Sequence, residues 1–471
     1  MGNNQQLQAH SGKLPFGVKL AYGLSGYSSF ITWTIFSLYG LYFFTDVVGL
    51  SAGFAGAIIS LGTIWDAATD PLIGALSDNR KSDKGRRRPL IVGVAVPFCL
   101  ISILLFTNFG FEESLAKIYF VIAILLYYTA QTVLDISCSA LGSEMTLDYD
   151  ERSSLATYKN FFCMLVVIIV SPTLMLVGYF GQFFENASLG WACTLALYMI
   201  IALGCILIIW RATRGYERFQ NTEKIEFKNV KDIFAHNKAI RFVMIIFALG
   251  VFGNTLNLSL QVYYWSYYVQ LSDGQIATVM TVGGVAACIA AFGIDILCRK
   301  LSKKAAWIVA IGLEAAAMIL FIGFLIQPGN FMLNCVLFVL IALGVCAIYQ
   351  VPWSMIPDCV EIDEMRSGKR IEGLIFGFTA FLQKASAAIG IAVVGAALEV
   401  IHYVPGVVQT AETLFSLKML YAFGVGIPLI LSVLIIIKYP LSKQRHQEVL
   451  EAIERKKQGI AYDPQDFKDL M

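Results

Sequence analysis

Charge is scarce in this 471-residue chain: Asp, Glu, Lys and Arg together make up 14% of it, against 57% apolar residues, and the mean hydropathy is +0.69. Soluble domains carry about 25% charged residues, so a soluble fold is excluded. Histidine is scarcer still, at four, and the ten cysteines stand singly, mostly inside apolar runs. There is no C-x-x-C pair and no His at ligand spacing, which removes metal-binding and disulfide frameworks; the cysteines read as membrane-buried packing residues. A nucleophile–base pair and a phosphate-binding loop are missing as well, so no enzyme chemistry and no cofactor is expected. The N-terminal MGNNQQLQAHSGK has neither a signal-peptide core nor the Ser/Thr of a myristoylation motif, and reads as a cytoplasmic tail.

The net charge of +2 hides a strong segregation, with Lys and Arg gathered in a few short loops rather than spread over a surface. Nucleic acid is therefore not an expected partner. What fills the chain is apolar sequence in runs long enough for a bilayer, twelve of them: about 20–45, 53–76, 89–109, 117–142, 155–180, 190–211, 240–268, 275–297, 305–326, 331–356, 371–400 and 416–438. The loop after the second run holds Arg80, Lys81, Lys84, Arg86, Arg87 and Arg88, and the loops after the sixth, eighth and tenth are basic too. The intervening loops, such as 46–52 and 181–190, have no Lys or Arg. Cytoplasmic loops accumulate basic residues, so both termini are placed in the cytoplasm of a multi-pass cell-membrane protein.

The polar segment from about Arg211 to Lys238 splits the runs into two groups of six, as a fused pair of structural repeats requires. The expected organisation is an all-α integral membrane protein with an N-terminal six-helix bundle (1–211), a central loop (212–239), a C-terminal bundle (240–440) and a cytoplasmic tail (441–471). The tail segment RHQEVLEAIERKKQG looks like a short amphipathic cytoplasmic helix, but the preferred reading is a solvated tail with no part in the protein's task.

Within the apolar runs a few polar residues stand out. IWDAATDP places Asp66 and Asp70 on one helical face. A carboxylate at mid-membrane depth costs roughly 2.5–3.5 kcal/mol on insertion scales, so two within one turn need a partner. Pro71 has no N–H to give the Ala67 carbonyl, leaving that oxygen as a further ligand. The plain alternative is that both aspartates pair with a basic residue of another helix. In QTVLDIS, Thr132 and Asp135 again share a face. If this helix lies against the second, Asp66, Asp70, Asp135, Thr69 and Thr132 make an all-oxygen pocket suited to a proton or a hard monovalent cation. Lys384 stands in an apolar run with no adjacent carboxylate, and is expected to meet those aspartates. Tyr27, Trp33, Tyr127, Tyr128, Tyr349 and Trp353 are candidates for stacking on a sugar ring, against the simpler reading of interfacial or core aromatics.

From KLAYGLSGY and YFFTDVVGL, through IWDAATDP and the GRRRP loop, to IPDCVEIDEMRSGKRIEG and FLQK, the chain resembles the glycoside-pentoside-hexuronide:cation symporters of the major facilitator superfamily. The resemblance implies twelve helices in two bundles with pseudo-two-fold symmetry, a central sugar site and a cation site. Asp66, Asp70 and Thr132 match the family's cation ligands, with Na⁺, H⁺ or Li⁺ as the coupling ion. Asp135 matches a sugar-binding carboxylate beside the cation, Lys384 the intramembrane lysine, and Trp353 the aromatic of the tenth span. Tyr27, Ser29, Tyr128, Lys159, Asn160 and Gln383 are further candidates for the substrate side. Departures accompany the matches. Thr69 replaces an asparagine cation ligand, Ser29-Phe30 replaces a Lys-Asp pair whose Asp binds galactosides, Ser139 replaces a sugar-stacking Trp, and an Arg of the fifth span is shifted to Lys159-Asn160. Galactoside recognition is therefore not inherited.

The sequence thus predicts a monomeric secondary active symporter, surrounded by membrane lipid, that imports a sugar or glycoside with a monovalent cation. Asp78, Arg86 and Arg87 are expected at a cytoplasmic gate. An anionic solute such as a hexuronide, or a lysolipid, is the first alternative, because the first-span carboxylate is gone and Lys159 is available. A non-transporting sugar sensor ranks below it.

Overall fold

The computed structural model describes residues 13–79, 87–146, 149–216, 236–367, 372–457, 464–467 and 470. Of the sites expected above, Arg86 lies outside them, as does the side chain of Asp78. Among the described residues the chain is helical, with no strand.

The described residues form fifteen α-helices in order: α1 (Phe16–Gly23), α2 (Ser25–Tyr42), α3 (Ala52–Asn79), α4 (Arg88–Leu105), α5 (Glu113–Met145), α6 (Tyr149–Val170), α7 (Thr173–Phe183), α8 (Ala187–Ala212), α9 (Lys238–Tyr263), α10 (Asp273–Lys300), α11 (Lys303–Ala316), α12 (Phe331–Ser367), α13 (Glu372–Val400), α14 (Ala411–Ile436) and α15 (Lys443–Lys457). Three helices run on into wider π-helical turns, over Phe43–Val47, Tyr264–Val269 and Ala317–Leu325. Among the described residues, ten helical stretches are long and apolar enough to cross a membrane. An eleventh forms if α6 and α7, bent by 48° at Ser171-Pro172, are taken as one. The protein is a multi-pass membrane protein. Helix α3, expected as the second of twelve spans, is not among the eleven, although its 28 residues give ample length. Its aspartates are the physical reason, because they lower the very hydropathy by which a span is recognised.

The chain divides into two compact units. The first is Met1–Thr222 with two short pieces of the later sequence, Ser272–Thr281 and Leu398–Val408. Its core is aromatic: Phe43 and Phe44 are fully buried, and Phe106 and Trp191 stack at 5.8 Å. Tyr403 in the second of the short pieces donates to Asp46 at 2.6 Å, and the backbone N–H of Gly53 donates to Glu399 at 2.9 Å. The second unit is Glu223–Leu271, Val282–Ala397 and Gln409–Met471, built around buried Trp265, Trp307, Tyr263, Tyr264 and Tyr421. Large apolar side chains such as Leu72, Leu76, Ile289, Phe292 and Val400 face outward. In a membrane protein that outer surface meets lipid tails, where burial gains nothing, so small and polar residues between helices carry the packing.

The tail is helical and packed rather than simply solvated. Helix α15 docks on the end of α12: His446 Nε2 lies 2.5 Å from Glu361, Lys456 donates to the Met365 carbonyl at 2.7 Å, and Val449, Ala452 and Ile453 are buried. Nearby, burial holds the Tyr439 phenol well above its usual range, and its hydroxyl sits 3.7 Å from Cys359 Sγ.

Candidate functional site

The candidate ion site begins with a close helix crossing. Gly62 on α3 faces Tyr128 and Ile124 on α5, and a Cβ there would stand 2.7 Å from Tyr128 Cδ2. Only a residue without a side chain lets the two backbones approach this far. One turn further along each helix, Gly62 leads to Asp66 and Tyr128 leads to Thr132, so the crossing delivers those two residues to one place. The Thr132 hydroxyl donates to Asp66 Oδ1, and its single proton is shared with the Tyr128 carbonyl at 2.8 Å. Thr69 is buried and donates to the Asp66 carbonyl at 3.2 Å. Asp70 follows one turn after Asp66, half-buried like it, with Pro71 inside the helix behind it. Two carboxylates, two hydroxyls and the Ala67 carbonyl thus lie along one stretch of α3 and α5.

Asp135 is part of a different group. Lys159 on α6 reaches Asp135 Oδ1 at 3.4 Å and donates to Ser139 Oγ at 3.0 Å. The pair is partly open, with the Asp135 side chain half exposed, so an incoming solute can displace or join it. Among the described residues, no three His, Cys, Asp or Glu side chains gather where a metal ion would sit. The assembled pieces are two: Asp66 with Thr132 and Thr69, and Asp135 with Lys159 and Ser139.

The remaining expected residues fall into three settings. Tyr27 and Tyr128 are buried with their hydroxyls engaged, Tyr27 donating to the Tyr198 carbonyl at 3.4 Å and Tyr128 lying 3.0 Å from Thr63 Oγ1. Ser29 is buried, and its carbonyl accepts from Gln131 Nε2 at 2.6 Å. Asn160 is exposed on α6. Lys384, Gln383 and Trp353 belong to the second unit, the first two half-buried on α13. Trp353 stacks on Phe376 at 5.8 Å and meets Phe247 edge-on at 6.0 Å. Arg87 is buried inside the first unit, donating to Glu144 at 3.0 Å and to Ser77.

Two buried groups of the first unit, one beside this site and one away from it, carry no expectation from sequence. Gln131 joins α5 to α2 by accepting from Thr32 at 3.1 Å and donating to Ser29, which fixes the residue next to Thr132. Glu151 accepts from Lys19 and from the Leu14 backbone N–H, both at 2.9 Å. Gln131 carried a readable signal, since it opens the same QTVLD stretch. Glu151 carried none, because its partners are more than 130 residues away.

The arrangement matches known proteins along nearly its whole length. Residues 21–443 match the model of the family described as MFS/sugar transport protein. An uncharacterized symporter, YnaJ, of Bacillus subtilis is 29% identical over 97% of this chain and 98% of its own length. A putative 2,3-dihydroxypropane-1-sulfonate exporter of Salmonella typhimurium is also 29% identical, covering 95% of this chain and 98% of its own. The isoprimeverose transporter of Lactiplantibacillus pentosus is 24% identical over 92% and 90%. The solved structure of a D-xylose-proton symporter shares the fold, with a TM-score of 0.66 at 16% identity over 92% of this chain and 99% of that one. A family model matching this much of the sequence, on a helical membrane fold with intramembrane carboxylates, fixes the class. The chain belongs to the MFS/sugar transport protein family and is a transporter rather than an enzyme.

Proposed function

We propose that this transporter is a symporter that moves a sugar or glycoside inward together with one monovalent cation, Na⁺ or H⁺, by alternating access. The observation that carries the reading is the join between α3 and α5, where Thr132 donates to Asp66 one turn beyond the Gly62 crossing. Asp66 and Asp70 supply charge to the ion, and Thr132, Thr69 and the Ala67 carbonyl supply neutral oxygen, the donor set a hard cation prefers. Asp135 with Lys159 and Ser139 forms the polar end of the solute site, and Asn160, Ser29, Gln383 and Trp353 are assigned to its lining. The isoprimeverose transporter among its relatives supports a sugar-containing solute. The basic loops support a cell-membrane orientation with both termini in the cytoplasm, and we take the transporter to act as a monomer. Uptake of a panel of labelled glycosides into right-side-out vesicles, with and without Na⁺ or a pH gradient, tests the reading. Cation-stimulated accumulation of at least one glycoside is expected, and no accumulation under any gradient contradicts it.

A second reading has its own support. Lys159 is a cation beside the solute group, 3.0 Å from the Ser139 hydroxyl, and one relative at 29% identity is named as a sulfonate exporter. An anionic sugar acid or sulfonate would pair with Lys159 in place of Asp135. Displacement of uptake by uronates and sulfonates but not by neutral glycosides selects this reading over the first.

A further inference from the structure

Deep in the second unit, one acidic side chain stands apart from every group described so far. Glu314 on α11 lies near the middle of the 23-residue span Lys303–Leu325, about 16 Å along the helix from either end. It is fully buried, and among the described residues neither carboxyl oxygen has a hydrogen-bond partner. The space for it is made by α12. Gly344 faces it so closely that a Cβ there would come within 2.6 Å of Glu314 Cβ and run into the carboxyl oxygen. Any side chain at 344 would fill the niche the carboxyl occupies.

The surroundings hold no counter-charge for it among the described residues. Helix α11 packs against α12, α14 and the π-helical turn Ala317–Leu325, and that turn has no titratable side chain. From α12, Cys346 donates to the Ala287 carbonyl at 3.3 Å and Tyr349 accepts from Asn254 at 3.1 Å. From α14, Tyr421 donates to Asn257 at 2.7 Å. Lys418 donates to the Ile326 carbonyl at 3.1 Å and lies 5.1 Å above the Tyr268 ring. The charged residues of α12, from Asp358 to Arg366, begin about 21 Å further along that helix than Gly344. Lys303, at the start of α11, is paired with Asp358 at 2.6 Å, and Lys304 beside it donates to the Ile437 carbonyl at 2.6 Å.

An ionised carboxylate with neither donor nor counter-ion at this depth is strongly disfavoured, whereas the carboxylic acid has no net charge. A metal cation needs several oxygens at once, and none are gathered here among the described acidic groups; a proton needs one. We propose that Glu314 is a proton-binding site of the second unit, a neutral acid at rest that exchanges its proton when α11 and α12 part at Gly344. The protein then has a protonation site separate from Asp66, Asp70 and Thr132, and H⁺ is a ligand in its own right and not only a rival of Na⁺ for the first site.

The test is infrared difference spectroscopy on the full-length protein in lipid nanodiscs, wild type minus Glu314→Gln, between about pH 5 and about pH 10. The expected result is one protonated-carboxyl carbonyl band near neutral pH that converts reversibly to carboxylate bands as the pH rises. Glu314→Asp keeps the acid and withdraws it from Gly344, so the same band should persist at a displaced frequency even if the Gln variant fails to fold. Carboxylate bands alone at neutral pH would mean an ionised, paired group and overturn the proposal. A protonated band unchanged up to the highest pH at which the protein stays folded overturns it too, since that marks a permanently neutral packing group. Neither readout involves solute uptake, so this result stands or falls separately from the transport reading.

Discussion

Thr132 has one hydroxyl proton and two acceptors, Asp66 Oδ1 and the Tyr128 carbonyl. Giving that proton to Asp66 holds the carboxylate in place, and giving it to the backbone leaves a hydroxyl lone pair for the proposed ion. Thr132→Val removes both roles at nearly constant volume. A hydrogen bond to a charged group is worth about 1.5–3 kcal/mol, so the cation concentration giving half-maximal uptake should rise about tenfold or more, with helix packing intact. Lys159→Met, by contrast, takes the cation from Asp135, and leaves a half-exposed carboxylate. Its predicted effect falls on the apparent affinity for solute, and cation dependence measured at saturating solute should remain. The pairing of Asp66 with Thr132 was half legible in sequence, because four-residue and three-residue spacings put the polar groups on helix faces. The pairing of Asp135 with Lys159 was not, since it depends on which face of α6 meets α5. Glu314 has its own signal in the sequence: an acid in the middle of an apolar run, with no basic residue in that run.

At Gly62, helix α3 packs closely against Tyr128 and Ile124 of α5. Gly62→Ala adds a methyl group against Tyr128 and Ile124, and overpacking of this kind costs about 1–3 kcal/mol. A lower thermal midpoint in detergent is expected, together with weaker cation stimulation, because Asp66 and Thr132 are spread apart in the same movement. At the start of α9, Asn237 does two jobs. Its Oδ1 caps the Ile240 N–H at 3.0 Å and its Nδ2 donates to the Cys359 carbonyl on α12 at 2.7 Å. Asn237→Ala should cost about 1–3 kcal/mol in thermal unfolding and leave ion affinity unchanged. The tail helix α15 shows why sequence alone misplaces an element. Val449, Ala452 and Ile453 make a stripe only one turn wide in a polar segment, and nothing in that segment indicates the end of α12 that covers it. The span count diverged for two physical reasons: the aspartates of α3 lower its hydropathy, and the bend at Ser171-Pro172 divides one apolar stretch into α6 and α7.

For the molecule as a whole, the family match defines a carrier, and the proposed ion site is what would make that carrier active. One positive charge moving down about 100 mV releases roughly 2.3 kcal/mol, enough for near fifty-fold accumulation of a solute moved with it. That coupling requires the ion and the solute to depend on the same conformational cycle, with the aspartates of α3 as the ion's charged ligands. Asp66→Asn and Asp70→Asn keep the shape of each side chain and remove its charge, so solute exchange down its own gradient should survive while gradient-driven accumulation should not. The most direct measurement is therefore cation-driven glycoside accumulation in membrane vesicles, with solute counterflow measured in the same preparations for wild type, Asp66→Asn and Asp70→Asn. Counterflow retained with cation-driven accumulation lost in both variants is the predicted result. Full cation-driven accumulation in either variant, inserted at wild-type levels, would contradict the assignment of the ion site to α3 and α5.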